Sequence, residues 1–355
     1  MISAKIIGDS ISPQGERLTS FELVFPRYIL AEFSTHREFS RNSASSRAIP
    51  YEKFKQSVLD NPFIHSAWQK PHKGMQGKEY YTEPKIIEIL NKLHLKARDN
   101  AVEISSHLNS IGVTKQVCNR YLEPFMWHKV IMTTSEPGLK NFFDLRCPQY
   151  YFEPANKSYK SRKEWIDNWN ATFEEGIDVS RKAEYTDWYD LFFLRQNVAD
   201  GEIHISLLAE KMYDAYNESK PKELLEGDYH IPFNEDIEFV ELTTGLSLED
   251  KIKVSIGMCA RVSYTPVGDN SILSAQTYIN IYDKMVKADP FHASPFEHVA
   301  RVMTEEEYSK FIRGDIKLDE WLSDEYRKEI LGWCRNFKGY VQERHTIEKL
   351  KWKKN

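Results

Sequence analysis

Apolar and polar positions sort the chain into a few readable elements. In "SFELVF" (20–25), Phe21, Leu23 and Phe25 share one face at the two-residue period of a strand. Pro26 then stands where a first-turn helix proline belongs, and "RYILAEFSTHR" continues with helical spacing. Residues 51–83 are aromatic, polar and proline-punctuated, the pattern of a long ordered loop. Across 84–109 the recurrence of Ile87, Leu90, Leu93 and Leu95 predicts an amphipathic helix, closed by Gly112 and followed by a second helix over about 113–130. Residues 148–190 are polar and charged with scattered aromatics, which marks an insertion with one or two short helices. A helix over 198–217 carries Ile203, Leu207, Leu208, Met212 and Ala215 as one stripe.

In the last third, Ser247 with Asp250 forms a capping-box signal that opens a helix, and another helix runs over 272–287. Thr304 with Glu307 repeats the signal, and "NFKGYVQERHTIE" suits a strand. No repeat and no Gly/Ser linker divides the chain. The mixture of helices with a few strands predicts an α+β fold.

Composition narrows the function classes. A chain of 355 residues with 41% hydrophobic and 13% aromatic content has the means for a large core. A formal net charge of -5 argues against bulk nucleic-acid binding, which needs a basic field, but leaves room for a local basic pocket. Cys118, Cys147, Cys259 and Cys334 lie far apart without a C-x-x-C pair, which points to a reducing compartment and no structural zinc. The first residues hold no apolar leader and no run reaches membrane-spanning length, so the expected location is cytoplasmic, with no membrane partner.

Three segments carry candidate chemistry. "THREFSRNSASSRAIP" (35–50) crowds Arg37, Arg41 and Arg47 beside Ser40, Ser43, Ser45 and Ser46. Guanidinium forks and hydroxyls of this kind bind phosphate or carboxylate, although the same composition also suits a solvated loop. "FHASPFEHV" (291–299) sets His292, Ser294, Glu297 and His298 around a Pro-Phe pair. The histidines lack helical ligand spacing, so the segment suits a planar ligand better than zinc, with a capped turn as the plain alternative. In "KNFFDLRCPQY" (140–150), Arg146 follows an apolar stretch and needs an acceptor. Cys147 beside it is either an activated nucleophile or a packed thiol. Arg120 in "KQVCNRYLEP" reaches a phosphate or covers its helix with an aliphatic stem. There is no G-x-G-x-x-G, no G-x-x-x-x-G-K-[ST] and no G-x-S-x-G, so a Rossmann or P-loop nucleotide site and a serine nucleophile elbow are excluded.

Together these segments resemble the flavin-dependent thymidylate synthases, in a long, phage-like form. The family's histidine-arginine motif with its spaced serine, asparagine, serine and arginine is matched by His36, Arg37, Ser40, Asn42, Ser45 and Arg47. "GVTKQVCNRYLEP", "LKNFFDLR", "VADGEIHISLLAEKM", "ARVSYTP" and "HASPFEH" resemble further family segments. The last two usually precede the histidine-arginine motif, whereas here they follow it by more than two hundred residues, as in a circular permutation. Individual positions depart as well: Thr35, Glu32, Ser43 and Ser135 stand where the family has arginine, glutamine, glutamate and asparagine.

The resemblance implies one catalytic domain over 1–355, with helices on a small, mostly antiparallel sheet, an insertion at about 148–197 and permuted motifs at 247–345. It implies a thymidylate synthase that methylates dUMP to dTMP with methylenetetrahydrofolate, FAD and NADPH, without a cysteine nucleophile, in a homotetramer with shared sites. Arg146 would be the catalytic residue that draws charge across the uracil ring. Ser43, Ser45, Arg47, Arg120 and Arg146 would bind the nucleotide. His36, Arg37, Asn42, Asn141, His292 and Ser294 would serve the flavin or folate. Arg195 is a rival for the role of Arg146, and Arg344 is the candidate to replace the arginine missing at Thr35. The alternatives are a pyrimidine deoxynucleotide hydroxymethylase or methylase acting on dUMP or dCMP, a synthase that uses Cys147 as nucleophile, and a non-catalytic nucleotide-binding homologue.

Overall fold

A computed structural model describes the chain apart from residues 75–76, 174–175, 177–185, 270, 314–329, 331–332 and 353–355. Its first strands are β1 (Ser3–Ile11) and β2 (Arg17–Pro26), followed by a short helix α1 (Leu30–Ser34) and strand β3 (Ser40–Ser43). Helices α2 (Tyr51–Asp60), α3 (Pro84–Ser110) and α4 (Lys115–Cys118) lead to β4 (Trp127–Ser135) and α5 (Glu136–Arg146). A hairpin of β5 (Tyr150–Phe152) and β6 (Lys157–Tyr159) precedes α6 (Arg162–Thr172), α7 (Thr186–Gln196) and α8 (Ile203–Glu218). The remainder comprises β7 (Lys222–Glu223), β8 (Tyr229–His230), α9 (Ile237–Thr243), α10 (Leu248–Arg261), α11 (Ala275–Lys287), β9 (Ala300–Val302), α12 (Glu305–Arg313), β10 (Tyr340–Gln342) and α13 (Glu343–Trp352).

The main sheet has the order β3-β4-β2-β1-β7. Its pairings are antiparallel except for the short β1–β7 contact. This is a mixed α+β architecture with a mostly antiparallel sheet. The alternation seen at 20–25 decides what covers its faces. Phe21, Leu23 and Phe25 point with Val130 and Met132 to one face, where Leu139 and Phe142 of α5 and Ile205, Leu208 and Met212 of α8 bury them. Burying each such side chain contributes about 1.5–3 kcal/mol. Ile7 and Ile131 point to the other face, against Val254 and Ile256 of α10, Tyr278 of α11 and Phe296. Helices α10 and α11 of the last third are therefore a second helical layer, on the opposite face of the same sheet.

Close approach and capping fix that layer. A Cβ at Gly257 would meet the Tyr278 carbonyl oxygen at 2.5 Å, so α10 and α11 cross where only glycine fits. Ser247 Oγ accepts from Asp250 N at 3.2 Å, as its spacing predicted. Thr304 and Glu307 form the reciprocal box, with Glu307 N donating to Thr304 Oγ1 at 3.2 Å and Thr304 N to Glu307 Oε2 at 2.9 Å.

Several elements differ from their sequence patterns. The helix expected over 113–130 is a single turn, α4, then two 3-10 turns and the first residues of β4. Pro124 sits in the second of those turns, where a continuing helix could not accommodate it. The 51–83 loop begins with a three-turn helix, α2, whose Tyr51, Phe54 and Val58 are buried. The tail is a strand only at β10 and then becomes α13. The described residues of 148–197 fold as the β5–β6 hairpin with α6 and α7 around Tyr150, Phe152, Trp165 and Phe193; residues 174–175 and 177–185 of the expected insertion lie outside the described residues.

Candidate functional site

The edge strand β3 is the meeting place of the candidate segments. Serine, arginine and asparagine have little intrinsic strand preference, so "SRNS" is a strand because its neighbours make it one. It pairs with β4 from Ser40↔Thr133 to Ser43↔Val130. Its buried residues, Ser40 and Asn42, face the last third of the chain. Asn42 Nδ2 donates to the Cys259 carbonyl at 2.6 Å, while its Oδ1 accepts from Ser263 at 3.3 Å and Ser294 at 3.2 Å. Ser45 N donates to the Ser263 carbonyl at 3.1 Å. Ser40 Oγ accepts from Asn336 at 3.1 Å and Gln342 at 3.0 Å. Segments more than two hundred residues apart in sequence are thus joined through one buried amide and one buried hydroxyl.

His36 and Arg146 form the second part of the site. A buried turn after α1 stacks His36 against Phe39, with Phe142 edge-on at 4.7 Å. Arg146, the last residue of α5, donates from Nε to His36 Nε2 at 3.1 Å. Burial first, then the charges of Arg146 and Arg41, lower the His36 pKa to about 4. Near neutral pH the ring is uncharged, accepts at Nε2 and carries its proton on Nδ1. That bond orients the guanidinium while leaving both Nη groups without a protein partner among the described residues.

Elsewhere the α5 start is pressed onto residue 38. A Cβ at Gly138 would collide with Thr134 Oγ1 and come within 3.3 Å of Glu38 Cβ, and Thr134 Oγ1 donates to the Glu38 carbonyl at 2.7 Å. Asn119 Nδ2 holds the carbonyls of Ser46 at 2.6 Å and Ile49 at 3.0 Å, which brings the backbone carrying Arg120 against the backbone carrying Arg47. Arg37, Arg47, Arg120, Asn141, His292 and Ser294 are exposed, whereas Ser43, Ser45 and Arg146 are half-buried.

The charge pattern around these residues is uneven. Arg17, Arg162, Arg261, Arg301 and Arg344 each pair with a carboxylate. Among the described residues, Arg37, Arg47, Arg120 and Arg146 have none. The cations left without a counter-ion therefore include Arg37, Arg47, Arg120 and Arg146, while Arg41 of the same segment donates to the carbonyls of Phe33 and His36. A cleft of about 330 Å³ beside α10 does not match this: its Lys5, Lys129 and Arg261 are already neutralised by Asp236, Glu22 and Asp269. Among the described residues no set of three His, Cys, Asp or Glu side chains is placed to hold a metal ion.

Other residues named from sequence fall as follows. Cys147 is buried, and burial pushes its thiol far above the ordinary range, so it is a packed thiol and a poor nucleophile. Arg195 is exposed at the end of α7 beside Thr82 and Gln196, lining a separate cleft. Arg344 is spent on Glu297 at 2.5 Å and Glu348 at 3.0 Å. Sequence reasoning did not single out Ser263, Asn336, Gln342 or the Glu38–Arg335 pair at 3.0 Å. Ser263 was available as the serine of "ARVSYTP"; the others carry no local signal.

No family model matches the chain, and no curated protein matches it. Among solved structures it is similar to the UMP/dUMP methylase PolB from Streptomyces cacaoi. The form bound with 5-Br dUMP aligns at 14% identity and TM-score 0.31, over 43% of this chain and 65% of that one. The form bound with 5-Br UMP aligns at 12% identity and TM-score 0.38, over 61% of this chain and 89% of that one. No helix among the described residues is long and apolar enough to cross a membrane.

Proposed function

We propose that the chain is a flavin-dependent enzyme that methylates dUMP to dTMP with methylenetetrahydrofolate as carbon donor and NADPH as reductant. The observation that carries this reading is the set of arginines without carboxylate partners, Arg37, Arg47, Arg120 and Arg146, gathered about one edge strand. In a chain of net charge -5, leaving four cations unpaired on adjacent segments suits anions supplied from outside. The donor set fits a nucleotide monophosphate and the diphosphate of FAD. Bound FAD would supply the redox chemistry, with the protein providing position and charge.

Each residue's task follows from its surroundings. Neutral His36 holds Arg146 by Nε, which leaves the Nη fork available as an oriented donor pair for the uracil N3–C4–O4 edge, where negative charge develops. Arg47 and Arg120, brought together by Asn119, bind the nucleotide phosphate, with Ser43 and Ser45 as hydroxyl donors beside them. Arg37, Asn141, His292 and Ser294 are exposed on the segments that border His36 and Asn42, and bind the flavin or folate. Asn42 acts by fixing Ser294, since its own amide is engaged by protein. Ile86, Ile89, Leu93 and Ile104 leave an apolar stripe exposed on α3, and we assign it to a second copy in a homotetramer. The test is to incubate purified protein with FAD, methylenetetrahydrofolate and NADPH, supply dUMP or dCMP, and weigh the nucleotide product. A methyl group on dUMP supports the reading; a hydroxymethyl group, a dCMP product or no product overturns it.

A further inference from the structure

A row of polar groups crosses the sheet face that carries Ile131. The registers Gly8↔Ser20 and Ser20↔Thr133 set these positions side by side on β1, β2 and β4. Gly8 has no side chain, and His230 of β8 takes the space above it: a Cβ at Gly8 would lie 3.1 Å from His230 Cε1. Ser10 Oγ lies 2.7 Å from His230 Nδ1, and Ser20 Oγ lies 2.8 Å from His230 Nε2. Ser20 Oγ then meets Thr133 Oγ1 at 2.6 Å, and Thr133 Oγ1 meets His298 Nδ1 at 2.9 Å. All five side chains are buried.

The two ends of the row differ. At β1, Ser10 and His230 line a cavity of about 70 Å³ that also meets the exposed Lys222 and Glu235. A water needs about 10–15 Å³ of free space and two to four polar partners, which this lining supplies. At the other end His298 is 0% exposed, and its Nε2 has no hydrogen-bond partner among the described residues. A buried nitrogen without a partner is costly, so its partner is a group from outside the chain. His298 closes the 294–298 segment. Ser294 of that segment binds Asn42 of β3, and Gln342 spans the Glu297 carbonyl at 3.4 Å and Ser40 at 3.0 Å. The row therefore runs from the segment assigned to flavin or folate to a water-sized cavity at β1.

Each hydroxyl has one proton to give and stands between two partners, while a neutral imidazole donates from one nitrogen and accepts at the other. Burial keeps both rings neutral near pH 7, at about 4 for His230 against the pull of Asp9, and at about 3 for His298 with a smaller contribution from His230. Tyr340 Oη, 3.4 Å from Ser10 Oγ, donates to the Glu16 carbonyl at 3.2 Å, so that branch ends there. The row thus points one way or the other as a unit, and moving one proton at each link converts the two states.

We propose that His298, Thr133, Ser20, His230 and Ser10 form a proton relay that carries a proton released at the candidate site to water in the cavity at β1. His298 Nε2 takes the proton as Nδ1–H passes to Thr133. The Thr133 proton goes to Ser20, that of Ser20 to His230 Nε2, His230 Nδ1–H to Ser10, and the Ser10 proton to water. A proton entering from the cavity by the same links in reverse restores the starting tautomers. No electrons change hands. The origin of the proton rests on the proposed function: a methyl group replacing hydrogen on the uracil ring frees one proton, and the hydride of NADPH is accompanied by uptake of another.

Two measurements on the full-length protein test the relay. Nitrogen NMR with isotope-labelled histidine reads which ring nitrogen is protonated, with His230→Gln and His298→Gln identifying the signals. An unbroken row requires the same nitrogen protonated in both rings, and opposite tautomers overturn the proposal. In the second measurement, Thr133→Val keeps the shape and removes the hydroxyl. With FAD supplied, it is expected to slow dUMP methylation by on the order of tenfold or more at unchanged dUMP affinity, and Thr133→Ser to restore the rate. Ser20→Ala breaks the neighbouring link and serves where Thr133→Val does not fold. Methylation at the wild-type rate in either folded variant overturns the relay. Wild-type protein that methylates no nucleotide removes the proposed function instead, and the tautomers then decide the relay: like tautomers keep it and opposite tautomers remove it.

Discussion

Replacing Asn42 by alanine tests how the candidate segments are held together. The side chain is 6% exposed and makes three hydrogen bonds, to the Cys259 carbonyl, Ser263 and Ser294. A buried bond of this kind contributes about 1 kcal/mol net, and a stranded carbonyl costs somewhat more. The expected loss is therefore about 3 kcal/mol. Unfolding entropy near 2.1 cal/mol/K per residue over 355 residues converts that to a melting shift of about 4 °C. Differential scanning calorimetry of the wild type and Asn42→Ala measures it directly. Ser263→Ala and Ser294→Ala each remove one bond and should fall near a third of that shift. A melting point for Asn42→Ala within half a degree of wild type would refute the claim that this amide joins β3 to the last third of the chain.

Three further outcomes follow from the same geometry. Gly257→Ala forces α10 and α11 apart at Tyr278 and should cost about 1–3 kcal/mol, read as a lowered denaturant midpoint. Gly138→Ala pushes α5 away from Glu38 and Thr134, so it should weaken nucleotide binding through displaced Arg146 as well as lower stability; binding by calorimetry unchanged from wild type would contradict this. His36, His65 and His230 are held at about 4, and His128 and His298 at about 3, each mainly by burial. Their unfolded forms titrate near 6.5, so the unfolded state binds more protons below that pH, and stability present above pH 6.5 is lost as pH falls toward 4. Asp214 and Glu343, raised to about 6 and about 7 by burial, act in the opposite sense and offset part of the loss. Melting points measured between pH 7 and pH 4.5 should fall on acidification, and a rise would show that the carboxyls dominate.

The elements legible in the sequence are those whose own period reports their packing. β2 alternates because one face is filled by phenylalanine and leucine, and α8 and α10 carry stripes and caps that match their partners. β4 lacks such a signature because it is central: from Val130 to Ser135 it is buried on both faces, and a continuous buried run has no alternation. β3 was invisible for the opposite reason. Its four residues have no apolar side chain, and the strand exists through its pairing with β4 and through side-chain bonds to the Cys259 carbonyl and from Ser263, Ser294, Asn336 and Gln342, all distant in sequence. The candidate site divides in the same way. The arginine-rich composition of 35–50 was plain, and the joining of that segment to 292–298 followed the resemblance. The bond between His36 and Arg146, and the role of Asn119 in pairing the Arg47 and Arg120 segments, depend on three-dimensional placement alone.

The account turns on the free Nη fork of Arg146 gripping a pyrimidine beside a flavin. Protein loaded with FAD and then titrated with dUMP tests it most directly, with the flavin absorption spectrum as the readout and Arg146→Gln as the comparison. Saturable perturbation of the flavin bands in the wild type, lost or weakened by at least about tenfold in the variant, is the predicted result, since a charge-assisted bond contributes about 1.5–3 kcal/mol. Failure to take up FAD, or an identical dUMP titration in the two proteins, would contradict it.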